Sequence, residues 1–271
     1  MSSYFALGTR LQSSWPSHHF APLGSWGVIM AIIRRLFGWL FATLLAMTGG
    51  AFAAELSVDP ILLQMNAPAM AGTLTLRNDA DGPVTVQTRV LRWSQSNGKE
   101  ALTPATDVVA SPPAVKLIPN ADYVVRIVRI SKAPVVGEES YRVIVDQLPD
   151  LRQQRAQAVS LLIRQSIPVF FDSRSVSPPS VSWSFANIGG KTALVASNTG
   201  DMRLRIASLK LTDGHGRALS FGNGLLGYTL GHASMSWVLP SRAAGFGGGT
   251  IAITAETEKG PLDASAQWRG E

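Results

Sequence analysis

The chain has no cysteine in its 271 residues, so it can form no disulfide, no thiolate metal site and no thiol nucleophile. Its fold rests on packing and hydrogen bonds alone. Histidine is almost as scarce. Of the four, His18 and His19 precede residue 53, and only His215 and His232 follow it. TDGHGR around His215 has the composition of a tight turn. There is no GxSxG elbow, no GxxxxGK[ST] phosphate loop and no HExxH pair. These gaps point away from catalysis, and no cofactor or metal is expected. Lys and Arg number 24 against 18 acids, a net charge of +6, but they are spread along the chain. A nucleic-acid binder would gather them into a stripe. Helical periodicity is also nearly absent after Ala54.

What is present near the start is an export signal. Met30 opens a segment with Arg34 and Arg35, an apolar run from Leu36 to Met47 and the small-residue site AFA-A at Ala51 to Ala54. This reads as a signal peptide, residues 30–53, cut after Ala53. Residues 1–29 read as an over-extended start. The apolar run is shorter than the roughly 20 residues a spanning helix needs, so no stable membrane insertion is expected. Arg34-Arg35 could mark twin-arginine export, but no prefolded cofactor site is visible and the ordinary secretory route fits better. Removing residues 1–53 takes away Arg10, Arg34 and Arg35 and no acid, leaving 21 basic and 18 acidic side chains.

Beyond Ala54, short alternating runs recur between Asn, Gly and Pro. Strands are expected near Leu56–Leu63, Ala71–Asn78, Val84–Ser94, Ala114–Leu117, Asp122–Ile130, Ser140–Gln147 and Ala158–Phe171. Seven strands suit one immunoglobulin-like sandwich over residues 54–172. In LTLRNDADGPVTVQTRVLRW, Asn78 to Gly82 supplies turn chemistry and a hairpin is expected. SRSVSPPS, Ser173 to Ser180, has linker composition, since adjacent prolines cannot donate to a ladder. TALVASNTGDMRLRIASLKL then repeats the theme of strand, Asn-centred turn and strand. The expectation is all-β, with a second, smaller sandwich over 181–271, glycine-rich from Gly214 to Gly249.

The most informative run is VSLLIRQSIPVFF, Val159 to Phe171. It follows EESYRVIVDQLP (Glu138 to Pro149) and the polar connector DLRQQRAQ, so the two strands make a long hairpin. This order, together with SPPAVKLIPNADYVVRIVR (Ser111 to Arg129), resembles the periplasmic PapD-like chaperones of the chaperone-usher pathway. The resemblance implies a periplasmic chaperone that binds pilin-like subunits and delivers them to an outer-membrane usher, with a self-capping dimer as a further partner state. It implies a donated strand whose alternate residues Val159, Leu161 and Ile163 fill a subunit's groove. Without the resemblance, the same residues would read as this domain's own core.

The resemblance also implies an ionic contact near the domain seam, which maps onto Arg126 and Glu139, with Glu256 as the acid from the second domain. Better-known members hold the subunit's terminal carboxylate with an arginine and a lysine. Here Pro60 and Pro168 stand at those two positions, and proline cannot bind a carboxylate. VDPILL with RQSIPVFF instead resembles the archaic, Csu-type branch. Arg164, Arg89 and Arg126 are then the candidate carboxylate anchors. Two other readings compete. One is an immunoglobulin-like surface or pilus subunit, although residues 54–63 enter a strand pattern directly, without a detachable extension. The other is a carbohydrate-binding module stacking sugars on Trp93, Trp183 or Trp237, positions at which single tryptophans are usually core.

Overall fold

The computed structural model describes residues 56–149, 162–240 and 245–268. The expected signal segment, its cleavage site, the connector 150–157 and the donor positions Val159 and Leu161 lie outside the described residues. Among those described there are eighteen strands and no helix, as the alternating pattern required.

The strands before Asp172 form two facing sheets. One joins β1 (Leu56–Asp59), β3 (Ala71–Asn78), β8 (Asp122–Arg129) and β6 (Val108–Ser111). The other orders β2 (Leu63–Asn66), β10 (Arg164–Asp172), β9 (Glu138–Leu148), β4 (Val84–Ser96) and β5 (Lys99–Pro104), with β7 (Ala114–Leu117) also on β4. The two-residue period sends one face of each strand inward. Leu74 and Leu76, Val125 and Ile127, Val143 and Val145, and Ile167, Val169 and Phe171 meet in one buried core.

The expected first strand, Leu56–Leu63, is instead two. β1 pairs antiparallel with β3, Leu56 opposite Asn78, whereas β2 pairs parallel with β10, Leu63 opposite Val169. Pro60, lacking an N–H, cannot continue a ladder, and the chain changes sheets there. The hairpin expected at Asn78–Gly82 is also corrected, because β3 and β4 lie in different sheets and the turn arches across the core. Its asparagine is wholly buried. The Asn78 side chain donates to the Gly82 and Leu117 carbonyls at 2.8 and 3.2 Å and accepts from the Ala80 amide at 3.0 Å. The reach to Leu117 ties the arch to β7, which no local turn signal encodes. β5 and β6 were not expected. β5 is exposed throughout, so it carries no alternation to read. Its signal is Asn97-Gly98, both at positive φ (51° and 72°), which closes the β4–β5 hairpin by a two-residue turn.

After Val181 the chain builds a second pair of sheets. β11 (Val181–Ile188), β12 (Lys191–Asn198) and β16 (Ser234–Val238) form one. β14 (Ala218–Ser220), β13 (Leu204–Thr212), β17 (Gly249–Thr257) and β18 (Gly260–Trp268) form the other, with β15 (Leu225–Thr229) also on β13. Leu194, Ile206, Leu209, Leu211, Ile251 and Ile253 are the centre of its core. The arch device recurs at Asn198, which donates to the Met202 carbonyl at 2.7 Å and accepts from the Gly200 amide at 3.0 Å. Segment 177–180, linker-like in composition, lies against this sandwich. Ser177 donates from its amide and hydroxyl to Asp201, and a Cβ on Gly200 would fall 2.0 Å from the Pro178 carbonyl oxygen.

The TDGHGR turn is built on Asp213. Burial alone would raise its carboxyl, but the Arg217, His215 and Gly247 amides and the Arg217 guanidinium hold it down at about 2. Its contribution is present above the ordinary carboxylate pKa of 3.8 and is lost as pH falls toward 2. Thermal melting at stepwise lower pH should therefore show a smaller loss for Asp213→Asn than for the parent chain. Asn78→Ala removes the asparagine donor from the buried Leu117 carbonyl and the half-buried Gly82 carbonyl. It should lower unfolding free energy by about 2–4 kcal/mol in denaturant titration.

Candidate functional site

The two pairs of sheets meet at a small aromatic core. Trp93 of β4, Phe170 of β10, Tyr228 of β15 and Leu230 are all buried together. Trp93 and Tyr228 pack edge to face with centroids 5.3 Å apart, a favoured geometry for their ring quadrupoles. Gln95 seals the contact from both amide atoms, donating to the Tyr228 carbonyl at 2.8 Å and accepting from the Leu230 amide at 2.9 Å. At the Asn97-Gly98 turn, Ser236 donates from its hydroxyl to the Gly98 carbonyl at 2.9 Å. A Cβ on Gly98 would lie 2.4 Å from that hydroxyl, so glycine is required by both its φ and its neighbour.

A buried ion pair spans the same junction, and its members were not those read from the sequence. Arg203, before β13, pairs with Glu138 at the start of β9, and both side chains are almost fully buried. Arg203 also reaches Gln64 at 3.1 Å, lies 3.2 Å from Glu258 and stacks over Phe170 at 3.6 Å. Burial pushes the Glu138 carboxyl up to about 7, although the Arg203 charge and amide pull it down. Arg126, expected to meet Glu139, is exposed on the outer face of β8. Alternation explains the correction, because three residues further on Arg129 turns inward and takes Glu139 with bonds of 2.7 and 2.8 Å. Arg129 also donates to the Ser131 and Ala133 carbonyls at 2.9 and 2.7 Å. The second-domain acid is likewise Glu258 rather than Glu256, which is exposed on β17.

The second feature is an open edge. Gln147 donates its amide to the Ile163 carbonyl at 2.9 Å, which fixes the parity of the antiparallel ladder. Odd-numbered residues of β10 bond to β9, and even-numbered ones turn N–H and C=O away. At the far end the outward groups meet β2, where Ala67 donates to the Asp172 carbonyl at 2.9 Å. β2 pairs only from Val169 onward. The outward groups of Leu162, Arg164 and Ser166 therefore face no strand of this chain among the described residues. Pro168 stands where the open edge gives way to β2, and its missing N–H leaves no donor orphaned there. The side chains keep the same parity. Ile163, half-buried, is in phase with core residues Ile167, Val169 and Phe171, and Val159 and Leu161 share that odd number.

Of the candidate anchors, Arg89 and Arg164 converge and Arg126 does not. Arg89 lies 2.5 Å from Asp146, and Arg164 bonds the other oxygen of the same carboxylate. Asp146 would be raised by burial, but the two arginines hold it below the usual range. Arg126 stands on the other sheet, on the far side of the core. A cation not singled out in the sequence is Arg142, directly opposite Pro168 in the β9–β10 register. It is half-buried, its guanidinium 3.8 Å from the Trp93 ring centroid and 5.7 Å from that of Tyr228. Its signal was only the alternation of SYRVIVDQ, which cannot tell an arginine under aromatic rings from one in water. Trp93 is 3% exposed, and Trp183 and Trp237 are half-buried against the second core.

The described residues thus form two immunoglobulin-like sandwiches that meet at a corner, and the last strand of the first has an edge that no described strand covers. Residues 55–176 match the family described as Pili and flagellar-assembly chaperone, PapD N-terminal domain. Among solved structures, the CsuC-CsuE chaperone-tip adhesion subunit pre-assembly complex from archaic Csu pili of Acinetobacter baumannii matches with 23% identity and a TM-score of 0.63, over 79% of this chain and 98% of that one. The Salmonella enterica SafA pilin–SafB chaperone complex matches with 19% identity and a TM-score of 0.55, over 79% and 98%. The E. coli chaperone DraB matches with 23% identity and a TM-score of 0.52, over 77% and 96%. At these identities the likeness establishes the shared fold. No curated protein sequence matches the chain.

The ion pair gives a test. Arg203→Ala leaves Glu138 buried without its cation, and should cost about 3–5 kcal/mol in denaturant titration. Arg203→Met paired with Glu138→Gln should cost much less. Arg126→Ala, in water, should change stability by no more than about 0.5 kcal/mol.

Proposed function

We propose that the chain is a periplasmic chaperone that binds pilin-like subunits by strand addition along β10 and passes them to an outer-membrane usher. The observation that carries this reading is the edge of β10 before Pro168, which no strand covers among the described residues, with Ile163 continuing the phase of the core. A pilin that lacks its last strand exposes a groove and a row of unpaired amides, and such an edge aggregates. The outward groups of Leu162, Arg164 and Ser166 can pair with that edge, while Val159, Leu161 and Ile163 fill alternate pockets. Arg89 and Arg164, set side by side by Asp146, offer cations to the bound subunit, and guanidinium suits a carboxylate. Release would follow when a better-fitting subunit strand replaces this one, with no nucleotide needed. The family match of residues 55–176 and the solved complexes of similar chaperones with a tip subunit and a pilin support the reading.

The test separates the edge from the fold. Ser166→Pro removes an outward N–H that β9 does not use, so the thermal midpoint should stay unchanged. Capture of the pilin-like subunit that co-purifies from the periplasm should fall about tenfold or more. Leu161→Asp puts an unpaired charge into the subunit's groove and should abolish capture from a folded chaperone. Normal capture by both folded variants would defeat strand addition, and unfolding of the Leu161 variant would place that residue in the chain's own core.

A further inference from the structure

We propose that β11, an outer strand of the second sandwich, pairs antiparallel with β11 of a second copy of this chain. The pairing is independent of what the first sandwich captures and leaves β10 unused. β11 is bonded to β12 on one side, and no strand among the described residues covers the other. The Thr199 amide donates to the Ser180 carbonyl at 2.9 Å, and in the β11–β12 register Val181 stands opposite Asn198. Even-numbered residues of β11 therefore bond to β12. The odd-numbered ones, Val181, Trp183, Phe185 and Asn187, turn N–H and C=O outward.

Charge decides what can occupy that edge. Outer strands commonly carry charged residues or proline that block pairing with another chain. Two others in this structure do so, since β5 has Lys99, Glu100 and Pro104, and β18 has Pro261 and Asp263. β11, VSWSFANI, has neither over its 8 residues. A two-fold axis sets each residue against itself or a near neighbour, so any charge on such a strand would meet its like. β11 brings no such repulsion to self-pairing, and it offers a charged partner strand nothing of opposite sign.

Parity narrows the register, because the two outward edges must set odd residues against odd. Centring the pair on Ser184 aligns Val181 to Asn187 with the same segment of the second copy. Trp183 then lies opposite Phe185 across the axis, on the half-buried face, and Ser184 meets Ser184 on the exposed face. Centring on Phe185 gives equal overlap but sets Trp183 against Asn187 and loses the cross-strand aromatic pairs. Trp183, Ser184 and Phe185, with Ser265, Ala266 and Gln267 of β18, line a cavity of about 400 Å³ at this edge. Phe185 packs on Trp268 with ring centroids 4.8 Å apart, and the inward rings of the second copy extend that layer.

The chain has no cysteine, so a single introduced thiol reports the register. Ser184 and its copy form a non-hydrogen-bonded pair with Cα atoms about 4.5 Å apart, within the range a disulfide bridges. Under mild oxidation the purified Ser184→Cys chain should become a covalent dimer on a non-reducing gel. Ser182→Cys, whose cross-strand neighbour is Ala186, should stay monomeric. In sedimentation, Ser184→Lys should raise the dimer dissociation constant about tenfold or more, with the thermal midpoint in dilute solution unchanged because the side chain is exposed. Should the Lys variant melt lower, the two cysteine variants decide. Equal cross-linking at 182 and 184 overturns the proposal, as does a parent chain that sediments as a monomer at every concentration. A dimer that survives Ser184→Lys but is dissolved by Ser166→Pro also overturns it, since that dimer runs through β10.

Discussion

A β-strand has two hydrogen-bonding edges, and along β10 one of them changes hands at Pro168. Toward β9 the ladder is continuous from Arg164 to Asp172. On the other side β2 occupies the edge only from Val169. The remainder meets no strand among the described residues. Backbone amides cannot be satisfied twice, so the extent of β2 sets the length of the open edge, and the sheet switch at Pro60 sets the extent of β2. The same strand must also be anchored firmly, because an edge that frays cannot template a partner. Its buried half does this, with Val169, Phe170 and Phe171 fully enclosed.

Parity connects that edge to the junction. Odd-numbered side chains of β10 enter the first core, whereas Phe170, on the even face, enters the aromatic cluster shared with the second sandwich. One strand thus joins core, corner and open edge. Arg203, stacked on Phe170 and paired with Glu138, adds little net stability by itself, since hydrophobic replacement of such a pair is often as stable. What it supplies is geometry. Its donors reach the starts of β9 and β2 from the start of β13 and so relate the two sandwiches at one angle. Burial of Glu138, which pushes its carboxyl up to about 7, is the cost of that arrangement.

The alternation of apolar residues determined the all-β class, the β9–β10 hairpin and the odd-numbered face that Ile163 shares with the core, because a period of two is a property of the backbone itself. Zero cysteines and the lack of clustered titratable groups shaped the functional reading in the same direct way. Tertiary structure decided whatever depends on partners remote in sequence. Asn78–Gly82 has the chemistry of a hairpin turn, but it became an arch because the asparagine's amide finds Leu117 across the core. Alternation placed arginines at 126 and 129 on one strand, and only the packed sandwich made Arg129 the partner of Glu139. Arg142 looks like any outward-facing cation until Trp93 and Tyr228, which are 135 residues apart, close over it. Charge pairing and burial are set in three dimensions, where side chains far apart in the chain compete for one carboxylate, and a linear pattern carries no record of that competition.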